Sequence, residues 1–278
     1  MAANGWGIHL LVWGAGWHLP GFDLPRVLHD IAALGFAGVE LPLLEPVSQA
    51  ALRSAAVAAR AEGLWLTAST ALPPGLSLVE GDGVAAAEWL GAMTEAAAVL
   101  GAPVLCGPML APVGDLPAGP GRSYRAAVEG LRTAAARARS LGVRLCVEPL
   151  NRFETDTLNT LAQGAELCGL VGDGLSLLAD TFHQNIEEAD PLDALARHMT
   201  QVGHVHCSEN HRGPIGSGHI PWAEVVAVLR GKGYSGRMVV EGFNARVPQL
   251  ARATCLWRPL ADSPEAFAAR SAEYLRGL

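Results

Sequence analysis

The chain has 278 residues, of which 50% are hydrophobic and 17% are charged, so it can bury a large core. Its formal net charge of −7 argues against a nucleic-acid-binding surface, because contacts to phosphates need clustered lysine and arginine. The first residues lack the basic region of a secretory signal peptide, and no apolar stretch reaches the length of a membrane span. Five scattered cysteines without metal-finger spacing fit a reducing compartment. We therefore expect a cytoplasmic protein that binds neither membranes nor nucleic acids.

Eight apolar runs of strand length alternate with amphipathic or alanine-rich runs of helix length. The predicted strands are 7–13, 38–41, 64–69, 104–106, 144–148, 175–180, 203–206 and 237–241. The predicted helices are 25–34, 47–62, 85–100, 124–141, 161–170, 191–201, 221–232 and 264–278. This alternation predicts a parallel sheet with crossover helices. Eight units in a chain of this length predict an α/β fold with a single (β/α)₈ TIM barrel, one domain over residues 1–278.

Two other architectures lack their diagnostic motifs. An open doubly wound sheet usually binds a nucleotide at G-x-G-x-x-G after its first strand. The corresponding segment here, WGAGW at 13–17, lacks the third glycine. The chain also contains no G-x-S-x-G nucleophile elbow, so a serine hydrolase has no support.

Four successive predicted strands end on residues that can bind a metal ion. These residues are Glu148, Asp180, His206 and Glu241. Barrel active sites lie at the carboxyl ends of the strands, and the alternation of side chains allows all four to point inward on one rim. A single carboxylate at a strand end is usually a loop cap or half of an ion pair. Four ligand-type residues at consecutive strand ends instead predict a metal site.

Three carboxylates and one imidazole form an oxygen-rich ligand set, which suits Mn²⁺, Co²⁺ or Mg²⁺ better than structural zinc. Two of the ligands, Glu148 and Glu241, lie on non-adjacent strands. Two carboxylates that flank a substrate carbon can act as base on one face and acid on the other. A divalent ion beside them stabilises the enediolate that forms when that carbon loses its proton. The pattern therefore predicts epimerisation or isomerisation of a sugar next to its ketone.

Four segments resemble the D-tagatose/D-allulose (psicose) 3-epimerases, which are metal-dependent ketose 3-epimerases of the xylose-isomerase-like barrel superfamily. The segments are VEPLNRFETDTLNT (147–160), LADTFHQNIEE (178–188), GHVHCSENHRGPIGSGHIPW (203–222) and VVEGF (239–243). The four ligands alone indicate only the superfamily, whereas the NRFE and DTFH-x-NIEE motifs are specific to this branch. The resemblance implies a divalent ion, Mn²⁺ as the first choice, a free ketose as substrate, and a homodimer or homotetramer.

The resemblance also implies a role for each matched residue. Glu148, Asp180, His206 and Glu241 would hold the ion, and Glu148 and Glu241 would also remove and return the proton at C3. Glu154 would hydrogen-bond the reacting end of the sugar. His183 and Arg212 would bind the oxygens around C1–C3, and Trp13 and Phe243 would line the wall near the far end.

Two further residues are expected to support the site. Glu209 would be a partner outside the ligand set, and His204 would be a packed barrel residue or a hydrogen-bond donor behind the ligands.

The chain departs from the family pattern at three places around the far end of the sugar. Glu241 is followed by Gly242 where the family usually has proline, which we expect to loosen the backbone of that ligand. PMLAPVG (108–114) stands where the family has a tryptophan, and His211 precedes Arg212 where we expect a smaller polar residue. These departures leave the reaction type intact and leave the preferred sugar open.

Four alternatives remain at this point. The first is an aldose–ketose or hydroxypyruvate-type isomerase that uses the same ion, and the second is an epimerase acting on a sugar phosphate. The third is a nuclease of the AP-endonuclease branch, against which the negative charge argues. The fourth is a sugar-binding barrel without catalysis, against which the complete ligand set and both bases argue.

Overall fold

The computed structural model describes residues 5–117 and 121–278. Eight parallel strands pair in the order β1 to β8, and β8 pairs with β1, so the sheet closes into a barrel. The strands are β1 Trp6–His9, β2 Gly38–Pro42, β3 Trp65–Ser69, β4 Val104–Gly107, β5 Arg144–Val147, β6 Leu175–Asp180, β7 Val202–Cys207 and β8 Arg237–Val240. The closed parallel barrel confirms the predicted (β/α)₈ architecture, while the extent of the domain over residues 1–278 stays a prediction.

Helices follow the strands and surround the barrel. In the described ranges they are α1 Leu24–Ala33, α2 Gln49–Ala61, α3 Val84–Leu100, α4 Val128–Ser140, α5 Leu161–Val171, α6 Thr181–Glu187, α7 Pro191–His198, α8 Trp222–Gly231, α9 Pro248–Ala253 and α10 Pro264–Leu275. None of these helices combines the length and the apolar character that a membrane crossing requires. Leucine, isoleucine, valine and alanine side chains of strands and helices form the main core between the two layers.

The first strand is shorter than predicted. It ends at His9, and a 3₁₀ helix takes over at Leu10–Val12. The reason is local, because Nδ1 of His9 accepts the N–H of Leu11 at 3.0 Å and so caps the start of the 3₁₀ helix. Two short helices, α6 and α9, were not predicted, since six or seven residues give too little periodicity to recognise.

Glycines at the amino end of the barrel make room for one indole. Gly7 pairs with Gly38, and Gly38 pairs with Trp65 on the next strand. A Cβ atom at either glycine would overlap the Trp65 ring. The Arg237 guanidinium lies 4.7 Å from the centroid of the same ring. The amino end of the barrel is therefore packed around Trp65, away from the carboxyl ends of the strands.

We predict that Gly38→Ala lowers the free energy of unfolding by about 1–3 kcal/mol, because the methyl group forces the Trp65 ring to move. Gly91→Ala is the matched control, since Gly91 lies in α3 with open space around it. In a helix this change should stabilise by roughly 0.5–1 kcal/mol. Urea unfolding of both variants measures the two values, and a Gly38→Ala protein as stable as the parent would contradict the packing described.

Candidate active site

The four predicted ligands lie at the carboxyl ends of four neighbouring strands. Glu148 comes one residue after β5, Asp180 ends β6, His206 is the penultimate residue of β7, and Glu241 comes one residue after β8. Backbone hydrogen bonds hold both glutamates to the adjacent strand, from Glu148 N–H to Gly107 O at 3.1 Å and from Glu241 N–H to Cys207 O at 2.9 Å. All four residues are at least 93% buried. Their positions are thus fixed by the barrel itself.

Donor atoms of Glu148, Asp180 and His206 lie within 4.8 Å of one another, so these three residues could hold one metal ion. Glu241 joins them through His206, with its Oε1 at 3.2 Å from Nδ1 of the imidazole. This Nδ1 atom is buried and has no hydrogen-bond partner in the described part of the chain. A buried nitrogen that faces carboxylates without a good hydrogen bond is suited to a cation.

The two carboxylate oxygens of Asp180 make different contacts. Its Oδ1 accepts the N–H groups of Phe182 at 2.6 Å and His183 at 3.3 Å, which caps the N-terminus of α6. Its Oδ2 lies 3.1 Å from Nη1 of Arg212 and 4.0 Å from Nδ1 of His206. The cap orients the carboxylate, so that its second oxygen points into the ligand cluster.

Arg212 brings a buried positive charge to the cluster. Its Nη1 donates to Asp180 Oδ2 at 3.1 Å, to Glu241 Oε2 at 2.6 Å and to Ser208 Oγ at 2.8 Å. The guanidinium carbon lies 3.9 Å from the centroid of the Phe182 ring and 5.0 Å from that of Phe243. Two aromatic faces therefore hold the guanidinium in place by cation–π contact. The backbone of Arg212 is left-handed, with a φ of 64°, which is unusual for a residue other than glycine.

His183 lies between the ligands and the loop after β5. Its Nδ1 accepts the backbone N–H of Asn151 at 3.0 Å, and its Nε2 lies 3.1 Å from Nη2 of Arg212. Nε2 lies 3.6 Å from Oε1 of Glu148. Burial and the charge of Arg212 hold the pKa of His183 well below its usual value. The Asn151 amide also donates to Glu154 Oε1 at 2.8 Å, which links Glu154 to the same network.

The two glutamates have opposite tendencies to ionise. Burial, together with the charges of Glu241 and Asp180, raises the pKa of Glu148 well above its usual value. Burial alone would also raise the pKa of Glu241, but His206 and Arg212 outweigh it and hold that pKa well below the usual range. Burial raises the pKa of Asp180 to about 7 despite the Arg212 charge. In the absence of an ion the cluster therefore favours a protonated Glu148 beside an ionised Glu241.

The two aromatic residues that were predicted to line the wall of the site have different contact partners. Phe243 is half-buried and packs near the Arg212 guanidinium. Trp13 is buried, and its indole N–H donates to Glu265 of α10 at 3.2 Å. Asn244 donates to the backbone carbonyl of Trp13 at 3.4 Å, which ties the loop after β1 to the loop after β8. Phe243 is thus in contact with the cluster through Arg212, whereas Trp13 contacts α10 and the loop after β8.

A cavity of about 380 Å³ borders the cluster. Asn151, Glu154, Phe182, Arg212 and Trp257 are among the residues that line it. Its lining combines charged and amide groups with aromatic rings. A sugar needs both, because its hydroxyl groups take hydrogen bonds while its C–H faces pack on apolar surface.

The two supporting residues lie close to the ligands. His204 is fully buried inside the barrel, with Nε2 at 2.7 Å from Glu40 Oε2. Glu209 is also fully buried, and its Oε1 accepts Trp222 Nε1–H at 2.7 Å and Gly216 N–H at 2.8 Å. Glu209 thereby fixes the loop that carries Arg212.

The glycine after Glu241 has a packing role. A Cβ atom at Gly242 would overlap the ring of Phe267, which is buried in α10. Gly242 also has no positive φ, so its backbone needs no glycine for conformational reasons. The residue that replaces the expected proline therefore admits an aromatic ring next to the ligand.

Sequence reasoning missed three residues of the site. Phe182 stacks on Arg212, Asn151 contacts both His183 and Glu154, and Glu40 contacts His206 from inside the barrel. The available signal for Glu40 was an acidic residue in the middle of an apolar strand, in GVELP. For Phe182 and Asn151 the available signal was their place in the motifs. Phe182 precedes His183 in DTFH, and Asn151 begins the NRFE motif that ends at Glu154.

Comparison with known proteins identifies the family. The family model described as Xylose isomerase-like TIM barrel matches residues 28–278. A probable ketose 3-epimerase from Synechocystis sp. is 33% identical over 258 residues, which cover 90% of this chain and 89% of that protein. An L-ribulose 3-epimerase from Mesorhizobium japonicum is 32% identical over 265 residues, which cover 91% of this chain and 87% of that protein.

Solved structures agree with this relationship. An L-ribulose 3-epimerase superposes with a TM-score of 0.90 at 30% identity, covering 99% of this chain and 94% of that one. A D-allulose 3-epimerase from Methylomonas sp., solved in complex with D-allulose, superposes with a TM-score of 0.90 at 26% identity, covering 100% of this chain and 98% of that one. These matches confirm the resemblance found in the motifs. The chain belongs to the xylose isomerase-like TIM barrel family and, within it, to the ketose 3-epimerases.

Proposed function

We propose that this protein inverts C3 of free ketoses of the D-tagatose, D-fructose/D-allulose and L-ribulose type, with Glu148 and Glu241 as the two proton-transferring groups. The observation that carries the proposal is the placement of these two buried carboxylates. They follow β5 and β8, and the strands between them carry Asp180 and His206. A substrate carbon that lies over this rim has one glutamate on each side.

The same cluster supports a bound divalent ion held by Glu148, Asp180, His206 and Glu241. The chemistry of the donors fits such an ion, because three carboxylates and one imidazole suit a hard cation, with Mn²⁺ as the first choice and Co²⁺ or Mg²⁺ as alternatives. The unpartnered Nδ1 of His206 fits a ligand role. The charge balance fits as well, because Arg212 is the guanidinium that contacts Asp180 and Glu241, while Glu148 lies 3.6 Å from a histidine. The divalent ion would be a second cation besides Arg212, and it would offset the negative charge that remains at Glu148.

When bound, a divalent ion polarises the ketose oxygens and so makes the proton at C3 easier to remove. One glutamate takes that proton as a carboxylate, and the C3–H electron pair moves into the enediolate of the sugar. The other glutamate, which enters as a carboxylic acid, gives its proton to the opposite face of C3. The product differs from the substrate only in the configuration of C3, and the two glutamates have exchanged protonation states. The reverse reaction restores them.

The neighbouring polar groups hold the sugar in our proposal. Arg212 and His183 bind the oxygens around C1–C3, where the guanidinium of Arg212 donates hydrogen bonds and an imidazole nitrogen of His183 forms one with a sugar hydroxyl. Glu154 accepts a hydrogen bond from the reacting end, since Asn151 already orients its carboxylate. Phe243 and Trp13 form the wall at the far end. A homodimer or homotetramer and a cytoplasmic location stay predictions of the sequence.

The first prediction concerns the position at which solvent hydrogen enters the sugar. With Mn²⁺ in deuterated water, the protein should convert D-fructose to D-allulose, or D-tagatose or L-ribulose to their C3 epimers, and place deuterium at C3. The reason is that the two glutamates exchange protons with water between turnovers. NMR of the recovered sugars measures the label, and label at C1 instead would favour an aldose–ketose isomerase.

The second prediction concerns the glutamates. Glu148→Gln and Glu241→Gln should each lower kcat by about 10²–10⁴-fold, because an amide can neither accept nor return the C3 proton. Glu129→Gln is the matched control, since Glu129 lies on the exposed surface of α4 beside Arg132. Its activity should equal that of the parent. Substantial turnover in either site variant, with the ion bound, would contradict the two-base assignment.

The third prediction concerns charge balance in the ion-free protein. Arg212→Met should lower the free energy of unfolding by about 3–5 kcal/mol, because it leaves Asp180 and Glu241 buried without their cation. Added Mn²⁺ should restore part of the loss. Arg137→Met is the control, because this exposed arginine pairs with the exposed Glu95 at the surface and should contribute less than about 1 kcal/mol. Thermal unfolding with and without Mn²⁺ checks both, and equal effects of the two variants would contradict the prediction.

A further inference from the structure

Glu40 is a fully buried carboxylate that the proposed reaction does not use. It lies on β2, on the side of the barrel opposite the strands that carry the ligands, and its side chain has 0% exposure. A carboxylate in a barrel interior is costly unless its oxygens are fully hydrogen-bonded. Its presence inside an otherwise apolar strand therefore calls for a specific set of partners.

The structure supplies those partners on both oxygens. Oε1 lies 2.6 Å from His206 Nε2 and 3.4 Å from His9 Nε2. Oε2 accepts the hydroxyl of Thr67 at 2.7 Å and lies 2.7 Å from His204 Nε2. The thiol of Cys106 donates to Oε2 at 3.4 Å. Five side chains from four strands thus converge on one carboxylate.

The contact between Glu40 and Nε2 of His206 also affects Nδ1, the other nitrogen of that ring. A carboxylate only accepts, so Nε2 directs its proton to Glu40, and in the neutral imidazole that binds a metal ion the lone pair lies on Nδ1. Nδ1 faces Glu241 at 3.2 Å and Asp180 at 4.0 Å, in the cluster that we propose holds the ion. When a carboxylate accepts a hydrogen bond from a metal-binding histidine, it fixes the tautomer and the orientation of the ring. It also makes the other ring nitrogen a stronger ligand for the metal.

His206 would not be fixed without this contact. The Nδ1 side of its ring has no hydrogen bond in the described part of the chain. The neighbouring rings of His9 and His204 meet it edge to face, at centroid distances of 5.8 and 5.4 Å, and such contacts do not select a tautomer. The choice between the two ring nitrogens therefore depends on Glu40.

We propose that Glu40 is a positioning residue for the metal centre, which holds His206 with Nε2 protonated and Nδ1 directed at the ion. This inference rests on the proposed function, because it assumes an ion at His206. Thr67 donates its hydroxyl to the second oxygen of Glu40 and so holds the carboxylate in the orientation that His206 requires.

Mn²⁺ binding to the purified full-length chain tests the proposal without reference to turnover. Glu40→Gln keeps an acceptor at the same place but removes the charge, and it should weaken Mn²⁺ binding about 10-fold. Glu40→Asp keeps the charge but withdraws it from Nε2 by one methylene, and the loss should be about 10–100-fold. Isothermal titration with Mn²⁺ gives the Kd. The visible absorption of bound Co²⁺ gives a second readout, which should change as the geometry at His206 changes.

Leu90→Ala is the matched control for lost stability. Leu90 is fully buried in α3, so its truncation lowers the free energy of unfolding. It should keep the parent Kd for Mn²⁺ within about twofold, since it leaves His206 and its partners unchanged. Folded Glu40→Asp protein that binds Mn²⁺ as tightly as the parent, with an unchanged Co²⁺ spectrum, would overturn this inference alone. A parent protein that takes up no Mn²⁺ would overturn the proposed function and this inference together.

Discussion

The structure depends on the stabilisation of buried negative charge. Glu40, Glu148, Asp180 and Glu241 are all at least 93% buried near the centre of the barrel. Each would destabilise the fold in an apolar core, so each requires donors or cations within contact distance. Histidines and an arginine supply them, and the remaining excess of charge is what makes the rim suitable for a divalent ion. The composition of the barrel interior is thus explained by the site, since a core built only for stability would be apolar.

The loops around the rim are held by the same groups. Asp180 caps α6 and so orients the first turn of this helix, which contains His183. The Nδ1 atom of His183 accepts a hydrogen bond from the Asn151 N–H. Glu209 accepts Trp222 and Gly216, which fixes the loop in which Arg212 adopts its left-handed backbone. Polar contacts therefore connect ligand geometry to loop geometry. A change at Asp180 or Glu209 would therefore also alter the loops that these residues hold.

The sequence predicted what depends on local pattern. The barrel follows from strand–helix alternation, and the four ligands follow from their places at consecutive strand ends, because side chains at equivalent ends of a parallel barrel face the same rim. Glu40 could not be found in this way, since its partner His206 is 166 residues distant and contacts it across the barrel. Only closure of the sheet brings β2 and β7 together on the inside. The left-handed turn at Arg212 was equally hidden, because nothing in ENHR specifies it.

Reaction type and sugar preference have different physical bases in this architecture. The glutamates that we propose as proton-transferring groups come directly after strands whose register is fixed by backbone hydrogen bonds, so their geometry changes little when surface loops change. The cavity wall is formed instead by loop residues such as Phe153 and Trp257, which are 71% and 85% exposed. Exposed loop residues can be replaced at small cost in stability, whereas the buried ligands cannot. The departures from the family pattern that lie in loops therefore bear on which ketose fits, while the barrel sets the positions of the two glutamates that we propose for proton transfer at C3.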